Sequence, residues 1–554
     1  RLVGSEMCIR DRLEKFMDDK LFFDHETFFF LLDGIIFNKQ ELVNESGQCS
    51  WEAACEFYIE HFSFEEFVNK LRGNYSGIIY NKKTNRLIAF TDLIGEKAVY
   101  YLKNEQEGMI VASHMGIMKQ AIKAYDIKYT VNIQACKEML VTSSFLHGNT
   151  FLKNVYRLNG GAYLCLDNGS FNVNRYYMFH NIPEWELSLE ECINKADMLF
   201  KQAIKRICNK NQEYGYDIEV DLSGGLDSRL VTFGIYNEGV KNVQNVCWCQ
   251  SNRIDNIVSR KISQKLGYQY IFYKMDGGDF LKDVDRMTKY TGGQINYTSS
   301  TCANRVFSSL NLNNIGMAVT GLLGELHNGY WTKGMEHTAP QYDTAYTDVV
   351  SVRIPEEYSK EYENYEQMNL YELSGFTFMS SAFTRQQMVE VCSPFIDKDF
   401  LEFAYKIPLK WRKNDYFTLN WINKKYPEAA KFIWQKTMTS ISSVVNNKFY
   451  FPKLYWGTED FFIRSVNKIL RIFHVRYQLL LRDDMNPFEK WYVRNASIEL
   501  FYREYYKQTI DLVENMEIKQ DIIALLSTGK CYDAMLAINI LGIYRYYFGE
   551  VKSI

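Results

Sequence analysis

The residues with the clearest chemical potential lie in one short segment, DLSGGLDSRL, which runs from Asp221 to Leu230. The apolar run before it predicts a strand that ends at Leu222, and the pattern after it predicts a helix from about Asp227. Gly224 and Gly225 let the backbone approach a ligand closely, because neither carries a Cβ atom. Consecutive amides at the start of a helix then form a nest for an anion such as phosphate.

The side chains of this loop extend the same chemistry. Ser223 and Ser228 can donate hydroxyl hydrogen bonds to phosphate oxygens, whereas Asp227 would repel a phosphate directly. We therefore expect Asp227 to hold a Mg²⁺ ion that bridges phosphate groups. No lysine follows the glycines, so the loop is not the GxxxxGK[ST] type that retains the β and γ phosphates. Arg229 has two interpretations: it pairs with an acidic neighbour on its helix, or it contacts an acidic substrate.

The elements around the loop determine where it would lie. An amphipathic helix is predicted from about residue 187, and the segments NVQNVCWC, NIVSRKISQKLG and QYIFYKM continue the pattern as strand, helix and strand. Alternating strands and helices predict a doubly wound parallel sheet. Residues 20 to 180 instead contain short strands with hairpin turns and intervening helices, which predicts an α+β unit. After about Pro452 the pattern is mostly helical.

Composition excludes several classes of protein. The 554 residues predict three to four domains of about 150 residues each. A 47% hydrophobic and 24% charged content is that of a globular chain, and a net charge of -3 argues against a protein-wide electrostatic hold on nucleic acid. The twelve cysteines lack metal-ligand spacing. No apolar run reaches the ~18 residues of a membrane helix. We expect a cytoplasmic protein without nucleic-acid or membrane partners.

One basic amphipathic segment, SVNKILRIFHVRYQLLLRD, leaves an alternative open. It could face a membrane or a partner protein, although a solvated helix packed on the rest of the protein is the favoured interpretation.

The loop resembles the pyrophosphate-binding loop of the PP-loop ATP pyrophosphatases, which cleave ATP to AMP and pyrophosphate. Further motifs make the chain similar to asparagine synthetases. Residues 317–331, MAVTGLLGELHNGYW, resemble that family's second nucleotide-site motif, with one residue and one acid missing. Residues 392–412 resemble its "PFLD" segment. Trp434-Gln435-Lys436 resembles its "W-x-x-K" approach to the active site, with one residue fewer between Trp and Lys.

This resemblance implies roles for individual residues. The phosphates would be bound by Ser223, Gly224, Gly225, Leu226, Asp227 and Ser228, and the adenosine end by the backbone of Leu222, Thr320 and Gly321. Asp227 and Glu325 would hold Mg²⁺, and Lys436 would neutralise the departing pyrophosphate and the adenylate. Asp227, Glu325 and Lys436 are thus the implied catalytic residues, with ATP and Mg²⁺ as the implied cofactors.

The segments LLDGIIFNKQEL, LRGNYSGIIYNKKTNRLIAFTDLIGEKAVYY and TFLKNVYRLNGG resemble the glutaminase domain of the same family. Its expected nucleophile is a cysteine at the mature N-terminus, and Cys8 is not assigned that role because it is not terminal. Asp33 replaces the asparagine whose amide stabilises the oxyanion, and a carboxylate there opposes the developing charge. Ile35 replaces the glutamate expected after Gly34. We predict that glutaminase activity is lost.

The sequence thus predicts an α+β N-terminal-nucleophile-hydrolase-like domain at 13–180 and an α/β doubly wound PP-loop synthetase domain at 185–450. A helical extension follows at 451–554, and residues 1–12 are interpreted as a non-native leader. The expected function is an ATP-dependent ligase that activates a small-molecule carboxylate as an acyl-adenylate for attack by ammonia or an amine. The alternatives are a specialised amidotransferase or cyclase on a glycan uronate or peptide, and a catalytically dead scaffold. A homodimer is one option for the assembly.

Overall fold

The computed structural model describes residues 13–104, 108–335, 337–372, 380–447, 451–473, 475 and 477–549. Antiparallel strands dominate the chain up to Arg175. They are β1 (Leu21–Asp24), β2 (Phe28–Ile36), β3 (Gly73–Asn81), β4 (Arg86–Thr91), β5 (Tyr100–Asn104), β6 (Gly108–Ala112), β7 (Val155–Arg157), β8 (Ala162–Asp167) and β9 (Ser170–Arg175). Six of them form a sheet in the order β1-β2-β3-β4-β8-β9, and the other three form the sheet β6-β5-β7.

Helices cover this part of the chain. They are α1 (Lys39–Ser46), α2 (Trp51–His61), α3 (Phe64–Lys70), α4 (Met115–Ala124) and α5 (Ile133–Thr142). Alternate residues of β2, including Phe28, Phe30 and Leu32, share one buried cluster with Trp51 and Phe67 from the covering helices. This is the two-residue period of a strand with one face in a core. The predicted mixture of antiparallel strands and helices is therefore observed.

A parallel sheet forms the centre of the second part. Its strands are β10 (Asp217–Asp221), β11 (Val243–Cys249), β12 (Gln269–Lys274), β13 (Ile315–Val319) and β14 (Glu390–Cys392), in the order β12-β11-β10-β13-β14. Every neighbouring pair is parallel, as the sequence predicted. The order reverses between β10 and β13, and ligands of such sheets bind at the carboxyl ends of the strands that flank this switch point.

Helices lie on both faces of the parallel sheet. One face packs against α6 (Leu189–Glu213), α7 (Asp227–Asn237) and α8 (Ile254–Leu266), and the other against α9 (Val284–Thr291) and α10 (Tyr297–Phe307). Shorter helices and strands follow: α11 (Tyr365–Met368), α12 (Ser380–Arg385), α13 (Lys398–Ala404), α14 (Leu409–Arg412), α15 (Tyr416–Lys425), α16 (Pro427–Ala430), β15 (Ile433–Trp434), β16 (Thr439–Ser440) and α17 (Ile441–Val445). Short 3₁₀ turns include Asp276–Lys282, Gly324–Asn328, Tyr330–Thr332, Glu356–Tyr358, Pro394–Ile396, Lys413–Asp415 and Ile510–Leu512.

The C-terminal part is helical, as predicted. It contains α18 (Phe451–Ile472), α19 (Phe488–Arg494), α20 (Ala496–Thr509), α21 (Met516–Ser527) and α22 (Cys531–Phe548). Helix α22 contacts both preceding parts, because Tyr129 donates a hydrogen bond to the Tyr547 carbonyl and the Tyr297 amide donates one to Asn539. In the described part of the chain, no helix combines the length and apolar character needed to cross a membrane. The domain boundaries remain predictions.

Candidate nucleotide site

The glycine-rich loop lies at the switch point of the parallel sheet. Strand β10 ends at Asp221, one residue before the predicted end, and helix α7 begins at Asp227, as predicted. The second motif leaves the neighbouring strand β13 after Val319. The two segments that resemble nucleotide-binding motifs therefore emerge side by side from the carboxyl ends of β10 and β13, where open α/β sheets bind ligands.

The amides of the loop donate to side-chain oxygens. The Ser223 amide donates to Ser228 Oγ at 3.1 Å, and the Gly225 amide donates to Ser223 Oγ at 3.1 Å. The Gly224 amide donates to Asp255 Oδ1 at 3.0 Å. In the last contact this loop amide donates to a carboxylate oxygen, and a phosphate oxygen would need the same kind of donor.

Asp255 is a member of the site that the sequence analysis missed. It lies in the first turn of α8 and is buried, and burial raises the pKa of its carboxyl although the hydrogen bond from Gly224 opposes that shift. Its only sequence signal is an acid near the start of a predicted helix, which is a common feature of helices in general. The parallel pairing of β10 and β11 is what brings this helix start to the loop.

Two glycines of the second motif allow it to pack directly on the first. A Cβ atom on Gly321 would lie 2.8 Å from the Ser228 amide nitrogen, and one on Gly324 would lie 2.4 Å from Asp227 Cγ. Neither distance is tolerated between real atoms, so any larger residue would push the two motifs apart. The Thr320 amide is bonded to the Cys392 carbonyl at 2.9 Å, which holds the start of the motif on β14.

The structure brings Asp227 and Glu325 into one electrostatic environment. Burial, with the nearby carboxylates of Glu325 and Asp415, holds the pKa of Asp227 well above its usual range, and burial also raises the pKa of Glu325. Asp227 Oδ1 and Glu325 Oε2 are buried without a hydrogen-bond partner among the described residues. Hard oxygen donors that are buried, unpartnered and mutually repulsive fit a Mg²⁺ ion, which one or two carboxylates plus phosphate oxygens can hold.

His327 is a second residue that the sequence analysis missed. Its side chain is 0% exposed, and its Nε2 lies 3.6 Å from Asp227 Oδ1. Aromatic rings surround it, from Phe395, Phe400, Phe417 and Trp421. Burial and the nearby Arg412 lower the pKa of His327 to about 3, so the ring beside Asp227 is neutral at physiological pH.

Lys436 forms an ion pair with Asp415, which lies near Asp227. Its Nζ lies 2.6 Å from Asp415 Oδ2, and Asp415 in turn raises the pKa of Asp227. Asn414 and Asp415 both have left-handed backbones, with φ values of 56° and 60°, a conformation that Asn and Asp tolerate better than most residues. The neighbouring Gln435 lies over the glycine turn, where a Cβ atom on Gly224 would be 2.8 Å from its Oε1. Lys436 therefore lies next to Asp415 and to the residue that covers the glycine turn, and its role remains a prediction.

Both interpretations of Arg229 are wrong. Its side chain is fully buried, and the guanidinium donates to four backbone carbonyls, those of Gly224 at 3.2 Å, Ala429 at 3.4 Å, Phe432 at 3.2 Å and Ile433 at 2.6 Å. Burial lowers the pKa of Arg229 to about 9. Instead of contacting an acid or a substrate, Arg229 connects the glycine-rich loop to the segment that precedes Lys436.

The residues of the degenerate glutamine site have a different setting. Gly34 has a φ of 134°, and a Cβ atom there would lie 2.0 Å from the Asn74 carbonyl oxygen. Ile35 is buried in the apolar core, so its side chain does not face a substrate. Asp33 lies 3.9 Å from the Lys20 ammonium, which also pairs with Glu390 at 2.8 Å. Cys8 lies outside the described residues.

Comparisons with known proteins show which families the chain is similar to. Residues 19–177 match the family model of a glutamine amidotransferase domain. A putative asparagine synthetase (glutamine-hydrolysing) of Methanocaldococcus jannaschii is 22% identical over 408 residues, covering 71% of this chain and 67% of that protein. A probable asparagine synthetase (glutamine-hydrolysing) of Acanthamoeba polyphaga mimivirus is 23% identical over 218 residues, covering 38% of this chain and 36% of that protein. The chain is therefore similar to asparagine synthetases, and its residues 19–177 are similar to glutamine amidotransferase domains.

Proposed function

We propose that the protein is an ATP-dependent carbon–nitrogen ligase that activates a carboxylate as an acyl-adenylate. The observation that carries this proposal is the meeting of the Ser-Gly-Gly-Leu-Asp-Ser loop and the second motif at the switch point of the parallel sheet. A substrate carboxylate oxygen attacks the α-phosphorus of ATP, and the bond from that phosphorus to the bridging oxygen breaks. Pyrophosphate leaves, and ammonia or an amine then displaces AMP to form the amide.

The loop residues have defined parts in this reaction. Pyrophosphate oxygens accept hydrogen bonds from the amides of Ser223, Gly224 and Gly225 and from the hydroxyl of Ser228. In the structure these three amides donate to side-chain oxygens, which occupy the acceptor positions that the pyrophosphate oxygens would take. The Lys436 ammonium neutralises charge on the departing pyrophosphate. The backbone of Leu222, Thr320 and Gly321 holds the adenosine end. Arg229 keeps the loop and the Lys436 segment at a fixed distance.

Asp227 and Glu325 are the proposed Mg²⁺ ligands. Burial and the nearby Glu325 carboxylate raise the pKa of Asp227. Among the described residues, no lysine or arginine pairs with Asp227 or Glu325, and the His327 ring beside Asp227 is neutral. When bound, the ion supplies positive charge against the phosphate oxygens. His327 limits the freedom of Asp227, since it fills the space on that side of the carboxylate.

We further propose that the amidotransferase domain does not hydrolyse glutamine, so that the nitrogen donor is ammonia or an amine. Asp33 and Ile35 support this, because a carboxylate opposes an oxyanion and a buried isoleucine cannot bind an α-amino group. The relatives are named as glutamine-hydrolysing, so the chain differs from what those names state.

An ATP–[³²P]pyrophosphate exchange assay across a panel of carboxylic acids tests the ligase. We expect exchange with at least one acid, no exchange in Asp227→Ala, and wild-type exchange in Asp511→Ala, whose carboxylate is exposed in another part of the protein. Absence of both exchange and ATP binding would refute the proposal. Product analysis with aspartate and ammonia then separates an asparagine-forming enzyme from one that acts on another carboxylate, since only the former yields asparagine.

A further inference from the structure

Helix α18 exposes a row of large apolar side chains. Phe461 and Phe462 are 74% and 67% exposed, Ile469 and Ile472 are 53% and 64% exposed, and Phe473 is 74% exposed. We call these five residues the apolar stripe. The last four of them follow Phe461 by one, eight, eleven and twelve residues. At about 100° per residue, these spacings place all five on one side of the helix. Single exposed apolar residues need no explanation, but a contiguous row marks an interaction surface.

The charged side chains between the two ends of the apolar stripe are basic. The flanking acids contact arginine residues, since Glu459 pairs with Arg482 and Asp460 accepts a hydrogen bond from the Arg482 amide. From residue 461 to residue 482 the sequence contains no Asp or Glu, whereas Lys468 and Arg471 are exposed within and beside the stripe. Arg464, one turn earlier, pairs with Asp483 at 3.2 Å. Val475 and Tyr477, just beyond the helix, are also exposed. An apolar face that carries the exposed basic side chains of Lys468 and Arg471 is complementary to a surface with an apolar interior and negatively charged groups at its boundary with water.

The opposite side of the helix is attached to the protein. Asn467 is buried, donates to the Leu479 carbonyl at 3.0 Å and accepts from the Leu479 amide at 2.7 Å. Arg253 in turn donates to the Leu481 carbonyl at 2.6 Å, which connects this segment to the start of α8. The apolar stripe therefore faces outward because the polar side of the helix is held, and it is not the inner face of a helix that has come away from a core.

We propose that the apolar stripe, with Lys468 and Arg471, docks on an anionic lipid surface. The helix lies in the plane of the interface, its phenylalanine and isoleucine side chains enter the boundary between headgroups and acyl chains, and the two basic side chains contact anionic headgroups. The sequence analysis favoured a solvated helix. The helix is exposed to solvent, but the exposed side chains of the apolar stripe are apolar. This proposal does not depend on the ligase activity.

Flotation of the purified full-length chain with vesicles tests the docking. We expect binding to vesicles made of equal parts phosphatidylglycerol and phosphatidylcholine, little binding to phosphatidylcholine alone, and weaker binding as salt is raised. The Lys468→Glu/Arg471→Glu variant should bind at least about tenfold more weakly, since each basic residue near an anionic surface contributes several-fold. Arg503→Glu/Lys507→Glu, a charge reversal at two exposed residues of α20, is the matched control and should bind like wild type.

A second variant separates the apolar contribution. Phe462→Ser/Ile472→Ser/Phe473→Ser should lose binding at every salt concentration, with an unchanged circular dichroism spectrum because all three side chains are exposed. Leu500→Ser, an exposed apolar residue of α20, is its control. Failure of the wild type to float with the anionic vesicles overturns the proposal, and so does equal binding to phosphatidylcholine. If the wild type does not bind vesicles but forms a dimer in light scattering, and Phe462→Ser/Ile472→Ser/Phe473→Ser is monomeric, the proposal is overturned. The apolar stripe then contacts a second copy of the chain instead.

Discussion

Two carboxylate clusters in this protein differ in whether lysine side chains of the protein compensate their negative charge. Glu390, beside the degenerate glutamine site, pairs with Lys20 at 2.8 Å and Lys97 at 2.7 Å, and these lysines lower its pKa to about 2 against the cost of burial. At the switch point, Asp227 and Glu325 are half-buried, no described lysine pairs with them, and their pKa values are raised.

The difference separates structure from chemistry. A carboxylate that the chain neutralises with its own lysines is satisfied in the folded protein and has no need of a ligand. Carboxylates that the fold buries close together and leaves uncompensated are destabilising, and they persist where a bound cation uses them. On this basis Glu390 has a structural role between two parts of the chain, whereas Asp227 and Glu325 have the electrostatics of a binding centre, as the proposed function requires.

The sharpest test of the comparison is Asp227→Asn. We expect pyrophosphate exchange to fall by about 10³-fold, because a metal ligand at the reacting phosphates contributes several kcal/mol. The free energy of unfolding should stay the same or rise, since the variant removes a charge whose burial is unfavourable. Exchange kinetics and urea unfolding measure the two effects. Loss of stability together with activity would show that Asp227 is a structural residue.

Glu390→Gln should have the opposite profile. Removing the carboxylate leaves Lys20 and Lys97 buried without their partner, which costs about 3–5 kcal/mol of folding free energy. Because the folded pKa of Glu390 is lowered to about 2 from 4.5, the pairs stabilise the fold fully above pH 4.5, and this contribution is lost as pH falls toward 2. Urea unfolding from pH 6 to pH 3 should show this loss in wild type and a smaller one in the variant. A variant as stable as wild type would contradict the structural role.

Lys436→Met tests the charge opposite the carboxylates. We expect exchange to fall about 10²-fold through loss of the ammonium near the leaving pyrophosphate, with partial recovery in Lys436→Arg. Lys431→Met, an exposed lysine on the same stretch of chain, should leave exchange unchanged. Equal activity in Lys436→Met and Lys431→Met would remove Lys436 from the mechanism.

The smallest effect is expected at the glutamine site. Asp33→Asn restores the amide that an oxyanion requires, yet glutamine should still fail to replace ammonia, because Ile35 remains buried where an acid is needed. Glutamate release from glutamine measures this. Glutamine-dependent AMP formation by the wild type would reject the proposed loss of activity and make the two sites alike.

Much of the nucleotide site followed from local sequence. The start of α7 at Asp227 and the parallel sheet were predicted, because Gly-Gly turns and alternating strand and helix patterns are properties of short segments. The partners of the loop were not predicted. Asp255, His327 and Asp415 come from three separate segments, each with an ordinary polar residue whose role depends on what packs against it.

The sequence by itself determined which residues could bind a phosphate, since Ser223, Gly224 and Gly225 owe that capacity to their own backbone and side chains. Only the tertiary structure decided that Arg229 holds the loop instead of meeting an acid, and that Glu390 is neutralised while Asp227 is not. The physical reason is that burial and Coulomb interactions depend on distances between segments far apart in the chain, and those distances exist only after the sheet has assembled.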